Sequence, residues 1–367
     1  MLKKLLCLVL CLSLLLCAVA CGSDGDQIPT DAPTDAPTDA QTNAPTNAPT
    51  DAPTDAPTDA PTDAPAQNPK PVSDFEYGIS ENGDSVYIIS YVGSSDTVVI
   101  PSEIDNLPVT EIRGVVGTTS HGGYYVKKGA FKGSKVKSVI MPDTITSLGA
   151  FTFYDCAELI EVKLSKNLSG DLHAFRNCKK LQTLDCSQTQ ITEIGTEGFK
   201  NCSSLTEIKF PNTLTKIGNK AFFGCSSLLE IDLPNSLRTI GEGVFQYCTS
   251  LKTVTIPPYI DLYCMSHINF YENHNLEKIV FTAGREEIEG YGFFAISEDV
   301  EVIIPPSVKK FSFYPFSVAT FVFLGDCPES FEMQNFTQKP IVYYDPTTKG
   351  WDTCMWKNSF DLRPIVK

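Results

Sequence analysis

The sequence predicts a β-rich solenoid of parallel stacked short strands, joined by turns and short helical or 3-10 segments and preceded by a disordered tether. Two periodic signals and one compositional signal predict it. Phe131, Phe153, Phe175, Phe199, Phe222, Phe245, Phe270 and Phe294 recur at spacings of 22, 22, 24, 23, 23, 25 and 24 residues. Three residues after each stands a small or polar residue: Ser134, Cys156, Cys178, Cys202, Cys225, Cys248, Asn273 and Ser297. Upstream, Asp31 to Ala66 runs in nine tetrads of the Asp-Ala-Pro-Thr type.

The Phe and Cys positions belong to one longer unit. An apolar residue follows (Leu159, Leu181, Leu205, Leu228, Leu251, Leu276), then a short strand pattern such as Leu205-x-x-Ile208-x-Phe210-Pro211. Many units close on a second apolar pair before Gly, as in Leu214/Ile217-Gly218 and Leu237/Ile240-Gly241. One unit cannot stand alone. Ordering each backbone residue costs about 1–2 kcal/mol, whereas burying one Phe or Leu returns only about 1.5–3 kcal/mol. Stacked copies bury each other's apolar side and form a continuous core. The strands then lie side by side at about 4.8 Å. Phe131, Phe153, Phe175, Phe199, Phe222 and Phe245 are the expected spine, and Cys156, Cys178, Cys202, Cys225 and Cys248 the expected ladder of buried thiols.

Phe199-Lys200-Asn201-Cys202-Ser203-Ser204-Leu205-Thr206-Glu207-Ile208 and Ala221-Phe222-Phe223-Gly224-Cys225-Ser226-Ser227-Leu228 carry a family resemblance. The unit resembles the BspA-like leucine-rich repeat of bacterial surface proteins, over roughly residues 97–325. Residues 257–320 depart from the pattern: Asn273 and Ser297 replace Cys, and the Gly-containing half is irregular. The resemblance implies a leucine-rich-repeat solenoid over 73–325, a C-terminal cap over 326–367, and attachment to matrix proteins or other cells.

The N-terminal segment reads as an address and an anchor. Lys3 and Lys4 precede an apolar run from Leu5 to Leu16, and Ala18-Val19-Ala20 supplies small residues for cleavage. Residues 1–20 are therefore the expected signal peptide. Cys21-Gly22-Ser23 resembles a bacterial lipoprotein site, although Ala18 stands where such a site usually has Leu; plain secretion with cleavage after Ala20 is the alternative. Residues 21–72 are read as the lipid-anchor site plus tether. Recurrent proline blocks helix and sheet, and the seven Asp of the tetrads repel one another. In extended polyproline form, 36 residues reach at most roughly 110 Å. The expected location is the cell surface, lipid-anchored to the bacterial membrane.

Little points to chemistry. The formal charge of −15 argues against a nucleic-acid partner. The four histidines, His121, His173, His267 and His274, form no H-E-x-x-H, and no G-x-S-x-G, P-loop or C-x-x-C occurs. No cofactor, metal or catalytic residue is expected. Cys327 and Cys354 read as unpaired, with a bridge across the cap as the alternative. Phe311, Phe313, Tyr314, Phe316 and Phe321 read as core near the cap.

Two surfaces remain as contact candidates. Glu161, Thr183, Glu207, Glu230 and Thr253, with Lys163, Asp185, Lys209, Asp232 and Thr255, should project outward from the strands as a mixed-charge face. Nineteen residues separate Ile112 from Phe131, where a regular unit such as Ile194 to Phe199 has five. This insertion holds Tyr124, Tyr125, Lys127 and Lys128, the candidate ligand-binding loop. The expected function is protein–protein binding or adhesion at the cell surface. A glycan-binding or enzyme-accessory module is the alternative, and a hydrolase is the third reading.

Overall fold

The computed structural model describes residues 70–72, 74–118, 124–260, 270–291, 299–314, 320–333, 339–355 and 357–366. All lie in one compact unit, Asp63–Lys367. The expected signal peptide, Cys21 and the tetrads lie outside the described residues.

The unit is a β-solenoid in which each turn contributes to two parallel ladders. One ladder takes the apolar strand of each repeat. It runs through Thr97–Val99, Ser138–Ile140 and Glu161–Lys163, then Thr183–Asp185 and Glu207–Lys209, then Glu230–Asp232, Thr253–Ile256, Lys278–Phe281, Glu301–Ile304, Thr320–Phe323, Ile341–Tyr344 and Asp361–Pro364. The other takes the segment before the glycine: Ser169–Leu172, Gln190–Ile194, Lys216–Ile217 and Thr239–Ile240 pair in order. Strands of two to five residues suffice because each side chain pointing inward is repeated in the turn above and below.

The spine is a column of rings. Tyr91, Phe131, Phe153, Phe175, Phe199, Phe222, Phe245 and Phe270 stack with successive centroids 5.1 to 6.2 Å apart. This is the offset-stacking range. In the last turns the column gives way to edge-to-face packing of Phe311, Phe321, Phe323 and Trp351. Phe311 and Phe321 are fully buried, whereas Phe316 lies outside the described residues.

Three features differ in detail from the sequence reading. First, the described residues contain no helix, and turns take the place of the short helical or 3-10 segments. The cause is a left-handed residue two positions after each Phe: Gly133, Asp155, Asn177, Asn201, Gly224, Tyr247 and Glu272 have φ between 60° and 74°. A left-handed residue ends a helical turn. It also aims its N–H along the stack. Asp155, Asn177, Asn201 and Gly224 donate to the carbonyls of Arg176, Lys200, Phe223 and Gln246 in the next turn, at 2.8 to 3.0 Å. The Asn side chains add a rung, Asn201 Nδ2 donating to Asn177 Oδ1 at 3.0 Å.

Second, the segment expected as a cap adds turns to the same ladder. Ile341–Tyr344 pairs in parallel with Thr320–Phe323, and Asp361–Pro364 with Ile341–Tyr344. Third, Lys70–Val72, at the expected end of the tether, is a strand antiparallel to Phe75–Ile79. Phe75 and Tyr91 from this N-terminal sheet cover the first ring of the spine, Phe131.

Candidate binding surfaces

The insertion is a β-hairpin. Val115–Thr118 pairs antiparallel with Tyr124–Lys128, setting Thr118 opposite Tyr124, Gly117 opposite Tyr125 and Val115 opposite Lys128. A register shift between Val115 and Val116 places an extra residue, Lys127, on the return strand. Tyr124, Tyr125, Lys127 and Lys128 therefore share one strand, and Lys128 is exposed. Residues 119–123, including His121, lie outside the described residues. The hairpin leaves the stack at Gly114 (φ 77°), whose missing Cβ leaves room for the Lys128 carbonyl 2.6 Å away.

The outer strand face is mixed in charge. Glu161, Lys163, Thr183, Asp185, Glu207, Lys209, Glu230 and Asp232 alternate with buried residues and are exposed. Ion pairs link successive turns here, Lys252–Glu277 at 3.1 Å and Lys278–Glu301 at 3.7 Å, and in the second ladder, Lys216–Glu193 at 2.8 Å. Exposed pairs of this kind add little to stability. The Asp185 carboxyl sits below its ordinary range chiefly because of the Ser187 side chain, and then because it accepts the Ser187 N–H.

The turn edge carries a row that sequence reading missed. Lys132 and Arg176 lie over Tyr154 at 4.8 and 5.5 Å, and Lys200 lies over Phe223 at 5.4 Å. Phe223, Tyr247 and Tyr271 continue it with centroids 4.9 and 5.4 Å apart. Tyr247 and Tyr271 are 39% and 42% exposed, enough for a partner to reach. Glu197 ties the cations together through Arg176 and Lys200. Burial pushes its carboxyl up, but the Lys200 hydrogen bond and the charges of Arg176, Lys200 and Lys220 outweigh this and leave it below its ordinary value.

The cysteine ladder faces inward. Each thiol donates to the carbonyl of the Phe one turn back: Cys156 to Phe131 at 2.9 Å, Cys178 to Phe153 at 3.1 Å, Cys202 to Phe175 at 3.0 Å, Cys225 to Phe199 at 3.2 Å and Cys248 to Phe222 at 3.2 Å. Asn273 Nδ2 makes the same bond to the Phe245 carbonyl at 2.8 Å, which explains why Asn substitutes for Cys here. Burial raises Cys202 and Cys248 to about 12. Fully buried, a thiol so held acts as a donor and stays out of a reagent's reach.

Of the histidines, His173 packs its ring 4.7 Å from Phe151, and burial lowers its pKa. His274 bonds Glu272 at 2.8 Å beside an open groove lined by Glu277, Lys278, Asp299 and Glu301. His267 lies outside the described residues. Among the described residues no three His, Cys, Asp or Glu side chains sit together to hold a metal, and no helix is long and apolar enough to cross a membrane.

Asp171 stands opposite Glu193 in the second ladder. Although Asp171 is exposed as a residue, partial burial of its carboxyl, and then repulsion from Glu193, raise it to about 6. A carboxyl raised on folding favours the fold fully below its unfolded value of about 3.9. That contribution is lost as pH rises through about 6. Asp171→Asn is therefore expected to raise the melting temperature at neutral pH and to have no such effect in acid below the unfolded value. Melting curves across pH check it; an equal shift at every pH would contradict it.

The model of the BspA type leucine rich repeat region matches in six copies, over residues 124–226, 171–298 and 264–324. Together these cover 124–324, 201 of 367 residues. No curated protein matches. A leucine-rich repeat protein of T. pallidum shares 26% identity, covering 64% of this chain and 86% of its own, with a TM-score of 0.41. A leucine-rich cell surface protein of Faecalibacterium prausnitzii shares 17%, covering 76% and 97%, with a TM-score of 0.35. The pneumococcal vaccine antigen PcpA shares 13%, covering 83% and 98%, with a TM-score of 0.35.

Proposed function

The chain belongs to the BspA-type leucine-rich repeat family, and on that premise we propose that it is an exported, lipid-anchored surface protein whose solenoid binds a protein or other cell-surface ligand in adhesion. The observation that carries this reading is the family match across more than half the chain. The family is a repeat family and not a catalytic one, which supports a binding role over an enzymatic one. The expected leader over 1–20, Cys21 after it and the proline tetrads support anchoring at the surface and display away from it. The hairpin supports a local contact site: it interrupts an otherwise regular stack, and it puts Tyr124, Tyr125, Lys127 and Lys128 on one strand. Tyr is among the residues that anchor interfaces.

The test is a pull-down from cell-surface and matrix fractions with the unit Asp63–Lys367, a start that keeps the Lys70–Val72 strand. A form with 115–128 replaced by a short linker runs beside it. The expected result is a captured protein ligand that the linker form loses at least tenfold. Undiminished capture would remove the hairpin from the site, and no capture across broad panels would count against adhesion.

A second reading, glycan binding, is favoured by the exposed pair Tyr247 and Tyr271 on the turn edge. Tyr247 holds φ at 60°, where Gly or Asn stands in most other turns. A non-glycine residue there costs on the order of 1–2 kcal/mol. A glycan array in which Tyr247→Ala plus Tyr271→Ala abolishes a signal would select this reading. An unchanged signal would discard that edge as the glycan site.

A further inference from the structure

The last turns of the solenoid hold a thiol pair that differs from the ladder. Three hydrogen bonds clamp the segment at 325–327 onto that at 349–351. Cys327 N donates to the Lys349 carbonyl at 2.9 Å, Lys349 N to Asp326 Oδ1 at 2.8 Å, and Trp351 Nε1 to the Gly325 carbonyl at 3.2 Å. Gly350, with φ at 89°, sits directly over Cys327: a Cβ there would lie 3.1 Å from the Cys327 Cβ. The turn that follows brings Cys354 back to Cys327, close enough for its thiol to act on that of Cys327. Both are free thiols.

The contrast with the ladder is chemical. Every ladder thiol is fully buried and donates to a main-chain carbonyl. Cys327 is partly exposed, and its contact to a carbonyl, that of Pro328, is long at 3.8 Å. Its neighbour is another sulfur, three residues past a segment that three bonds hold against Cys327. The close approach of the two turns is thus in place before any bond forms.

We propose that Cys327 and Cys354 are an oxidisable pair that closes into a disulfide across the final turns, by exchange with a small-molecule disulfide such as oxidised glutathione. Cys327, the partly exposed sulfur, loses its proton to solvent and attacks one sulfur of the reagent. The reagent's S–S bond breaks, and one glutathione leaves as a thiolate that takes up a proton. Cys354 then loses its proton and attacks the Cys327 sulfur of the mixed disulfide, releasing the second glutathione. Two protein thiols are oxidised and one disulfide is reduced to two thiols. The closed loop spans the strands Ser330–Met333 and Ile341–Tyr344, so the bridge staples the ladder where it ends in Asp361–Pro364.

Burial, and then the neighbouring Cys354 thiol, raise the Cys327 thiol to about 12. The thiolate is the attacking species, so closure is slow at neutral pH and its rate rises about tenfold per pH unit.

The experiment incubates the full chain with oxidised glutathione at mildly alkaline pH, quenches with acid, alkylates free thiols in denaturant and maps the peptides by mass spectrometry. The expected product is a Cys327–Cys354 peptide lacking two hydrogens, reversed by dithiothreitol, with the ladder cysteines alkylated. Cys354→Ser should instead retain glutathione on Cys327, and Cys327→Ser should leave Cys354 alkylated. Recovery of both residues alkylated from the wild type overturns the proposal. So does a glutathione adduct on Cys327 that persists in the wild type as it does in Cys354→Ser. Equal cross-linking among ladder cysteines overturns it as well.

Discussion

Phe222→Ala is expected to lower the stability of the solenoid by about 3–5 kcal/mol. The ring is fully buried and lies between Phe199 at 5.2 Å and Phe245 at 6.0 Å, with the edge of Phe210 at 6.0 Å. Truncation removes the ring's burial and its contacts to all three neighbours. The cavity cannot close easily, because the backbone on each side is held: Phe222 N donates to the Val244 carbonyl and Phe199 N to the Ala221 carbonyl. In a repeat protein, coupling runs only between neighbouring turns. The loss therefore falls on the junction between the two halves of the stack, and unfolding is expected to become less cooperative as well as easier. Chemical denaturation followed by circular dichroism checks both. A change below about 1 kcal/mol, smaller than any ordinary buried Phe truncation, would mean that the ring column is not where stability lies.

Gly218→Ala is expected to cost about 1–3 kcal/mol, as overpacking does. Its φ is not left-handed; the constraint is space. A Cβ at Gly218 would stand 2.6 Å from Thr196 N and 2.9 Å from the Gly195 carbonyl carbon, both main-chain atoms of the previous turn. Neither can rotate away as a side chain would. Gly149 and Gly241 face the same crowding from Arg113 and Asn219. The paired control is Gly133, with φ at 70° and nothing within 4 Å of its Cβ. Gly133→Ala costs only the left-handed penalty of about 1–2 kcal/mol. Thermal melts of both variants separate the two causes. Greater tolerance at Gly218 than at Gly133 would contradict the close approach of the turns.

The periodic part of this fold is legible in the sequence because stacking forces it to be. A residue that meets its own copy above and below must have the right size in every turn, so Phe153, Cys156, Leu159 and Ile217-Gly218 repeat visibly. The left-handed position is less visible, because Gly, Asp and Asn share it with Tyr247 and Glu272. It is a backbone requirement that several side chains meet. The aromatic turn edge is invisible to a period search for a related reason. Phe223 stands one position after its spine Phe, Tyr247 two after and Tyr271 one after, so they approach in space without sharing a place in the unit. The added turns at the C-terminus are hidden because Phe311, Phe331, Trp351 and Phe360 fill the core in tilted and edge-to-face pairs and abandon the column spacing. The insertion is readable as an interruption. Its pairing as a hairpin is a finding of the structure, which sets Val115-Val116 on one strand and Tyr124-Tyr125-Val126 on the other.

We propose that this stack displays a hairpin to a partner outside the cell. Its most direct test is photo-cross-linking on living cells, with a photoreactive phenylalanine analogue at Tyr125 in the hairpin. The same analogue at Glu242, an exposed position on the body, is the reference. Discrete protein adducts are expected from position 125, formed without breaking the cells and missing from position 242. Identical adducts from both positions, or none from position 125 on intact cells, would contradict it.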